Sequence, residues 1–216
     1  MMLINTLNIH NTYKLTKEVK MLATRKKLPI TLNKQEVKSL LDIPNKRYKN
    51  GLRNKAILSL MVNTGLRVSE VASLKVKYIN LKEGKLRVIQ GKGLKDRDLT
   101  IGNKQALELL KEYSKIRPNS NYFFTSLEEG NTGKQLAIRY LQTMVKGYSL
   151  RAEIQKNVSP HTLRHTFATE FYRETKDIET LRKILGHSDI STTQIYVTLA
   201  NIDVEKAMNN FSGFTV

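Results

Sequence analysis

Between Asn33 and Pro44 the apolar residues Val37, Leu40 and Leu41 follow a helical period, which predicts a short helix. Asn33 and Glu36 have capping-box spacing at its start, and Pro44 stops it. A second helical face, Ile57, Leu60, Met61 and Thr64, runs into Gly65, a residue suited to a left-handed C-terminal cap. Arg67 follows at the mouth of the next element, where Val68, Val71, Ala72 and Leu74 predict another short helix. The period then shortens to strand-like segments at Tyr78 to Leu81, Leu86 to Ile89 and Arg97 to Ile101. Glu83-Gly84 and Gly91-Lys92-Gly93 are read as the turns between them.

Helical spacing returns with Ala106, Leu107, Leu110 and Tyr113 behind the capping residue Asn103, and with Leu136, Tyr140, Met144 and Val145 after a glycine-containing loop. Ser159-Pro160 is a cap followed by a first-turn proline, and Leu163, Phe167 and Phe171 give that helix its buried face. Asp177 opens one more helix, which Gly186 closes. Val204, Ala207, Met208 and Phe211 repeat at helical spacing near the end of the sequence. The expected fold is mainly α with a small antiparallel β-sheet, an α+β arrangement, without internal repeats or low-complexity segments.

Residues 1–28 are polar and basic and read as an arm or linker, and the compact unit begins near Pro29. Lys and Arg number 37 against 19 Asp and Glu, a net charge of +18 spread along the chain. Such a surface favours a polyanion, and nucleic acid comes first because each phosphate neutralised releases condensed counterions. An anionic membrane is the weaker choice: the best basic amphipathic stretch, Tyr13 to Leu22, offers only Leu15, Val19 and Leu22. There is no cysteine, which excludes disulfides and thiolate metal sites. With neither a signal-peptide core nor a spanning apolar run, the expected location is the cytoplasm.

Five segments carry candidate chemistry: Thr64-Gly-Leu-Arg-Val-Ser-Glu70, Gly91-Lys-Gly-Leu-Lys-Asp-Arg97, His161-Thr-Leu-Arg-His165, Leu185-Gly-His-Ser188 and Thr192-Thr-Gln-Ile-Tyr196. Planar guanidinium groups match the non-bridging oxygens of a phosphodiester, so Arg67 and Arg164 are candidates for a phosphate clamp. A phenol with a pKa of about 10 is scarcely ionised at neutral pH, so Tyr196 as a nucleophile needs a base or a cationic pocket. His161 is a candidate to accept that proton or orient a group. Lys92, between two glycines, is a candidate general acid for the leaving oxygen. Gly186 can turn His187 toward the same phosphate as a further donor. No step in this scheme calls for a metal or a cofactor.

Together these segments resemble the signature of the tyrosine recombinase, or phage integrase, family, in the style of its Xer-like members. The resemblance runs from about Pro29 to Ala200, with the tyrosine nine positions after His187. It implies that Arg67, Lys92, His161, Arg164 and His187 surround a DNA phosphate while Tyr196 attacks it, leaving a 3′-phosphotyrosine and a free 5′-hydroxyl. It implies double-stranded DNA as partner and a homotetramer on two synapsed duplexes. Glu70 falls at an acidic position of the family motif and is read as support for the arginine or lysine. Residues 201–216 are expected to form a C-terminal tail or helix that packs on a neighbouring protomer or on its own chain. Family members usually carry a helical core-binding domain before the catalytic one. Residues 1–30 are too few to supply it, which leaves a catalytic fragment or a minimal enzyme as alternatives.

Taken singly, each residue has a plainer explanation. Arg67 serves equally as a surface or capping cation, Lys92 as a solvated turn residue and Tyr196 as a half-buried aromatic. His161 and His165 have the spacing of a zinc helix, but Thr162 stands where a metalloprotease has glutamate, so no metal site is assigned. His165 is read as a structural hydrogen-bonding residue. Lys95, Arg97, Lys134, Arg139 and Lys146 are candidate DNA contacts, and a solvated face explains each one equally well. Two other functions remain open from sequence: a DNA-binding accessory protein of the same fold, and supercoil relaxation by the same chemistry.

Overall fold

The computed structural model describes residues 28–89 and 96–209, with backbone alone for 202–209. The predicted Gly91-Lys92-Gly93 turn, the candidates Lys92 and Lys95, Phe211 and the N-terminal arm before Leu28 lie outside the described residues.

Helix α1, Lys34–Asp42, starts where the capping signal places it: the Asn33 side chain accepts from the Glu36 amide, and the Glu36 carboxylate accepts from the Asn33 amide. Helix α2, Lys49–Thr64, is buried on most of its circumference, with Ala56, Ile57, Leu58, Leu60 and Met61 fully enclosed. It forms the axis of the main core, with α1, the later helix α4, Lys104–Ile116, and α6, Pro160–Thr175, packed around it. Between α2 and the sheet lies the short α3, Val68–Ala72; helix α5, Ile138–Arg151, packs against α3, α1 and α6.

Strands β1, Ile79–Asn80, β2, Lys85–Val88, and β3, Arg97–Thr100, form an antiparallel sheet in the order β1-β2-β3. The register pairs Leu86 with Leu99 and Arg87 with Asp98. Leu86, Val88 and Leu99 therefore face the core, while Arg87 and Asp98 form an exposed bidentate pair on the opposite face. Gly84 makes the turn at φ 64°, as its sequence position predicts. Two strands are shorter than the sequence segments, β1 with two residues rather than four and β3 by one residue, while β2 keeps its length and begins one residue earlier.

Helix α6 begins with the expected Ser159 cap and Pro160, and α7, Ile178–Leu185, begins at the Asp177 cap. The final helix α8, Gln194–Asn209, carries Tyr196 in its first turn and crosses position 200 without a break. A second, smaller apolar cluster joins these three helices: Ala168 of α6, Leu181 and Leu185 of α7, and Tyr196 of α8, flanked by Phe167, Phe171, Ile195 and Leu199. No helix among the described residues is long and apolar enough to cross a membrane.

Candidate active site

Two helices end where Arg67 and Arg164 meet. Helix α2 stops at Gly65 with φ 64°, and a Cβ there would lie 2.4 Å from Phe167 Cδ1, so both dihedral and space demand glycine. Two residues on, Arg67 is the N-cap residue of α3. Helix α7 stops in the same left-handed manner at Gly186, also with φ 64°. Helix C-termini leave carbonyl oxygens without helical partners and carry partial negative charge. The arginines gather on those oxygens. Arg164, 5% exposed, donates from one terminal nitrogen to the Gly65 carbonyl at 2.7 Å and from the other to the Leu185 carbonyl at 2.8 Å. Arg67 donates to the Gly186 carbonyl at 3.4 Å, and Arg97 Nε to the Ile184 carbonyl at 2.7 Å. Three successive carbonyls at the end of α7 thus each receive one arginine.

Glu70 fixes this arrangement. Its carboxylate takes both terminal nitrogens of Arg97 at 2.9 Å each, Arg67 Nη1 at 3.0 Å and the Arg67 amide at 2.8 Å. Burial alone would raise the Glu70 pKa, but Arg97 and Arg67 outweigh it and hold the carboxylate below its ordinary range. Three guanidinium groups against this one carboxylate leave the cluster cationic. Burial, then the neighbouring charge of Arg67, lowers the Arg164 pKa to about 10. Arg67 is the most open of the three, with a third of its side chain exposed.

His187, just past the α7 cap, joins the same group. Its Nε2 lies 3.0 Å from Arg164 Nη2 and its Nδ1 lies 3.0 Å from the buried Thr193 hydroxyl. Since a guanidinium only donates, Nε2 accepts and the ring proton sits on Nδ1, bonded to Thr193. Burial, then Arg164 and Arg67, lowers the His187 pKa to about 4. In this arrangement Nε2 accepts from Arg164 and Nδ1 donates to Thr193.

Tyr196 is 2% exposed, and its hydroxyl lies 3.0 Å from His165 Nδ1. Burial raises the phenol pKa, while Arg164 and Arg67 act from the other direction. Both guanidinium groups therefore act on the phenol electrostatically, Arg164 from α6 and Arg67 from the start of α3. His165 itself is held neutral, its pKa lowered to about 4 by burial and then by His161 and Arg164. His161, four residues earlier on α6, is exposed and makes no hydrogen bond with a described residue.

The structure thus brings together Arg67, Glu70, Arg164 and His187, sets Tyr196 and His165 beside them, and puts His161 at the exposed edge of α6. Arg97, grouped from sequence with the exposed DNA-contact candidates, is instead 9% exposed and committed to Glu70. A signal for this was present, since Arg97 is two residues from the buried Leu99 on the same strand and so shares its face. Lys134, Arg139 and Lys146 are exposed on or before α5, and Lys134 bonds Asn131 within its own loop. Sequence reasoning missed Thr193 and the α7 carbonyls; backbone acceptors leave no trace in side-chain type.

The model of the phage integrase family matches residues 31–201. The chain belongs to the phage integrase family. Tyrosine recombinase XerD of Staphylococcus saprophyticus is 37% identical over 193 residues, covering 86% of this chain and 63% of the relative. The chain therefore spans less than two thirds of the length of that curated relative. Among solved structures, XerA recombinase superposes with a TM-score of 0.73 at 30% identity, covering 89% of this chain and 68% of that one. The XerH site-specific recombinase, bound to palindromic difH substrate as a post-cleavage complex, gives 0.69 at 30% identity over 87% of this chain and 54% of its own. The family's mainly helical fold with a small antiparallel sheet is the fold described above.

Proposed function

We propose that this chain is a site-specific DNA recombinase that cuts a strand by joining Tyr196 to a backbone phosphate and later returns the bond to a 5′-hydroxyl. The observation that carries this reading is the meeting of Arg67, Arg164 and His187 at two helix C-termini, with the Tyr196 phenol inside the field of both arginines. A phosphate entering there would replace weak carbonyl partners with a full anionic charge, and the guanidinium forks suit its oxygens. Glu70 and Arg97 hold Arg67 in place, so the clamp exists before DNA arrives.

Lys92 is assigned as general acid for the departing oxygen, and His161, exposed beside the clamp, as a phosphate-side hydrogen-bonding group. Lys95, Lys134, Arg139 and Lys146 are assigned to the duplex backbone in keeping with the +18 charge. The partner is double-stranded DNA, and strand exchange takes place in a homotetramer on two duplexes, in the cytoplasm. Integration, excision and dimer resolution all fit this chemistry.

The test is a duplex nicked close to the cleavage point, from which the short fragment diffuses away once cut. A covalent protein–DNA adduct stable to denaturant and EDTA is expected from the wild-type chain and absent from Tyr196→Phe, which still binds the duplex. An adduct persisting in Tyr196→Phe would overturn the assignment. Binding without any adduct would favour a DNA-binding accessory role.

A further inference from the structure

The phenol that the proposed reaction uses as nucleophile has a proton to lose, and the structure puts one nitrogen at hydrogen-bond distance from it. That nitrogen belongs to His165, not His161. Tyr196 is 2% exposed, so its hydroxyl hydrogen must find a protein acceptor, and His165 Nδ1 is the partner it has among the described residues. The arrangement that satisfies the buried hydrogen has Tyr196 donating and Nδ1 accepting, with the His165 ring proton on Nε2. The two rings are 5.8 Å apart and tilted by 45°, so the contact is made edgewise through these atoms and not by stacking.

We propose that His165 holds the Tyr196 hydroxyl by this hydrogen bond and takes its proton when the phenol oxygen attacks phosphorus. This rests on the recombinase reading given above. In the step, the Tyr196 Oη–P bond forms and the P–O5′ bond breaks. The phenol hydrogen passes to His165 Nδ1, giving an imidazolium, and the departing O5′ takes a proton from the general acid assigned to Lys92. Reversal returns the proton from Nδ1 to the phenol as the 5′-hydroxyl attacks.

The groups acting on the His165 ring are Arg164 and His161 on its own helix, Tyr196 on α8, and His187 past the end of α7. In the free protein, burial and the two α6 neighbours keep the ring neutral, which leaves Nδ1 open as an acceptor. A DNA phosphate beside Arg164 brings negative charge toward the ring, and that favours the imidazolium at the moment the proton arrives. His161 is exposed and has no such contact, which leaves it free to face the DNA.

The experiment measures single-turnover adduct formation on the nicked duplex between pH 5 and pH 10 for the full chain and for His165→Asn, His165→Phe and His161→Gln. Asparagine places an oxygen near the Nδ1 position, so it keeps an acceptor for the hydroxyl but cannot carry the proton away. At pH 7, His165→Asn is expected to lose about 100-fold in rate, within the usual range for general base catalysis. Its rate should then climb in proportion to hydroxide and approach wild type at high pH. His165→Phe is expected to be slower still at every pH, and His161→Gln to keep the pH profile of the wild type.

A His165→Asn protein with wild-type rate and profile would overturn the proposal, as would a faster adduct at pH 7, which would make His165 a restraint on the nucleophile. An altered pH profile in His161→Gln with an unaltered one in His165→Asn would transfer the role to His161 and equally overturn it. A wild-type chain that forms no adduct at all is a failure of the recombinase reading instead, so the two are separable.

Discussion

The arginine clamp and the tyrosine rest on different foundations. Arg67 follows directly from α2, the axis of the main core, and Arg164 sits on α6 against the end of that helix. Glu70, Arg97 and three α7 carbonyls then bind the guanidinium groups from several sides. Tyr196 belongs to the small second cluster, where α8 is held by Ala168, Leu181, Leu185 and the phenol itself. Elements with few buried apolar contacts open at lower free energy than those seated in a large core. The difference teaches that the arginine cluster is held in advance from several sides, while Tyr196 is mounted on the smaller of the two cores.

The sharpest way to break this comparison is to remove a clamp residue. Arg164→Ala is expected to slow adduct formation by about 100- to 1,000-fold, in line with losing a preorganised donor to a developing charge. It also frees the Gly65 and Leu185 carbonyls, so a fall in thermal stability should accompany the kinetic loss. Arg67→Ala is expected to lose rate on the same scale with a smaller stability change, because its side chain is one third exposed. Equal stability losses in both variants would contradict the ranking of the two arginines by burial.

Next in size is the ion pair beneath the clamp. Glu70 and Arg97 are each 9% exposed, and removing Arg97 leaves the buried Glu70 carboxylate with the partly exposed Arg67 as its remaining cationic partner. Arg97→Ala is expected to destabilise the chain by about 3 kcal/mol or more, measured by urea unfolding. A loss below about 1 kcal/mol would show that the pair is solvated and that Arg67 is not held in advance.

The two cores can then be compared directly. Leu58→Ala in the main core is expected to cost about 2–5 kcal/mol in global unfolding. Leu181→Ala in the second cluster should fall at the low end of that range and act locally, speeding amide exchange in α8 well before α2. Parallel exchange of both helices would mean that the clusters unfold as one unit.

A further effect is on stability against pH. His165 and His187 are held neutral in the fold, each at about 4 against an ordinary value near 6.5. Between those values the unfolded chain binds more protons than the folded one. Stability is therefore full above about pH 6.5 and declines as pH falls toward 4. Melting temperatures recorded from pH 7 to pH 4 should show that decline, and His187→Asn should flatten it.

Much of this was legible in the sequence because it is local. Asn33, Asn103, Ser159 and Asp177 each cap the helix they were expected to cap, and Gly65 and Gly186 take the left-handed turns assigned to them. Caps and turns involve residues within a few positions of one another, so composition and spacing report them. Tertiary pairings do not follow from spacing. The Glu70–Arg97 pair joins residues 27 apart, and Arg97 was grouped with the surface cations although its strand alternation pointed inward. Which nitrogen of His187 carries the proton is likewise decided by Arg164 on another helix. That His165 makes a hydrogen bond agrees with its reading from sequence, but nothing in a sequence says which of two histidines a tyrosine 31 positions later will reach.

Gly65 has no side chain to bring to the reaction, yet its place gives it leverage over the whole centre. Its carbonyl receives Arg164, and a single methyl added there would collide with Phe167 and crowd Leu185, both members of or neighbours to the small cluster that carries the phenol. An alanine at this position would push the cationic half and the phenolic half apart at once. If the proposed recombination holds, a screen for its loss would score such a variant among the catalytic residues, although the methyl itself brings no reacting group.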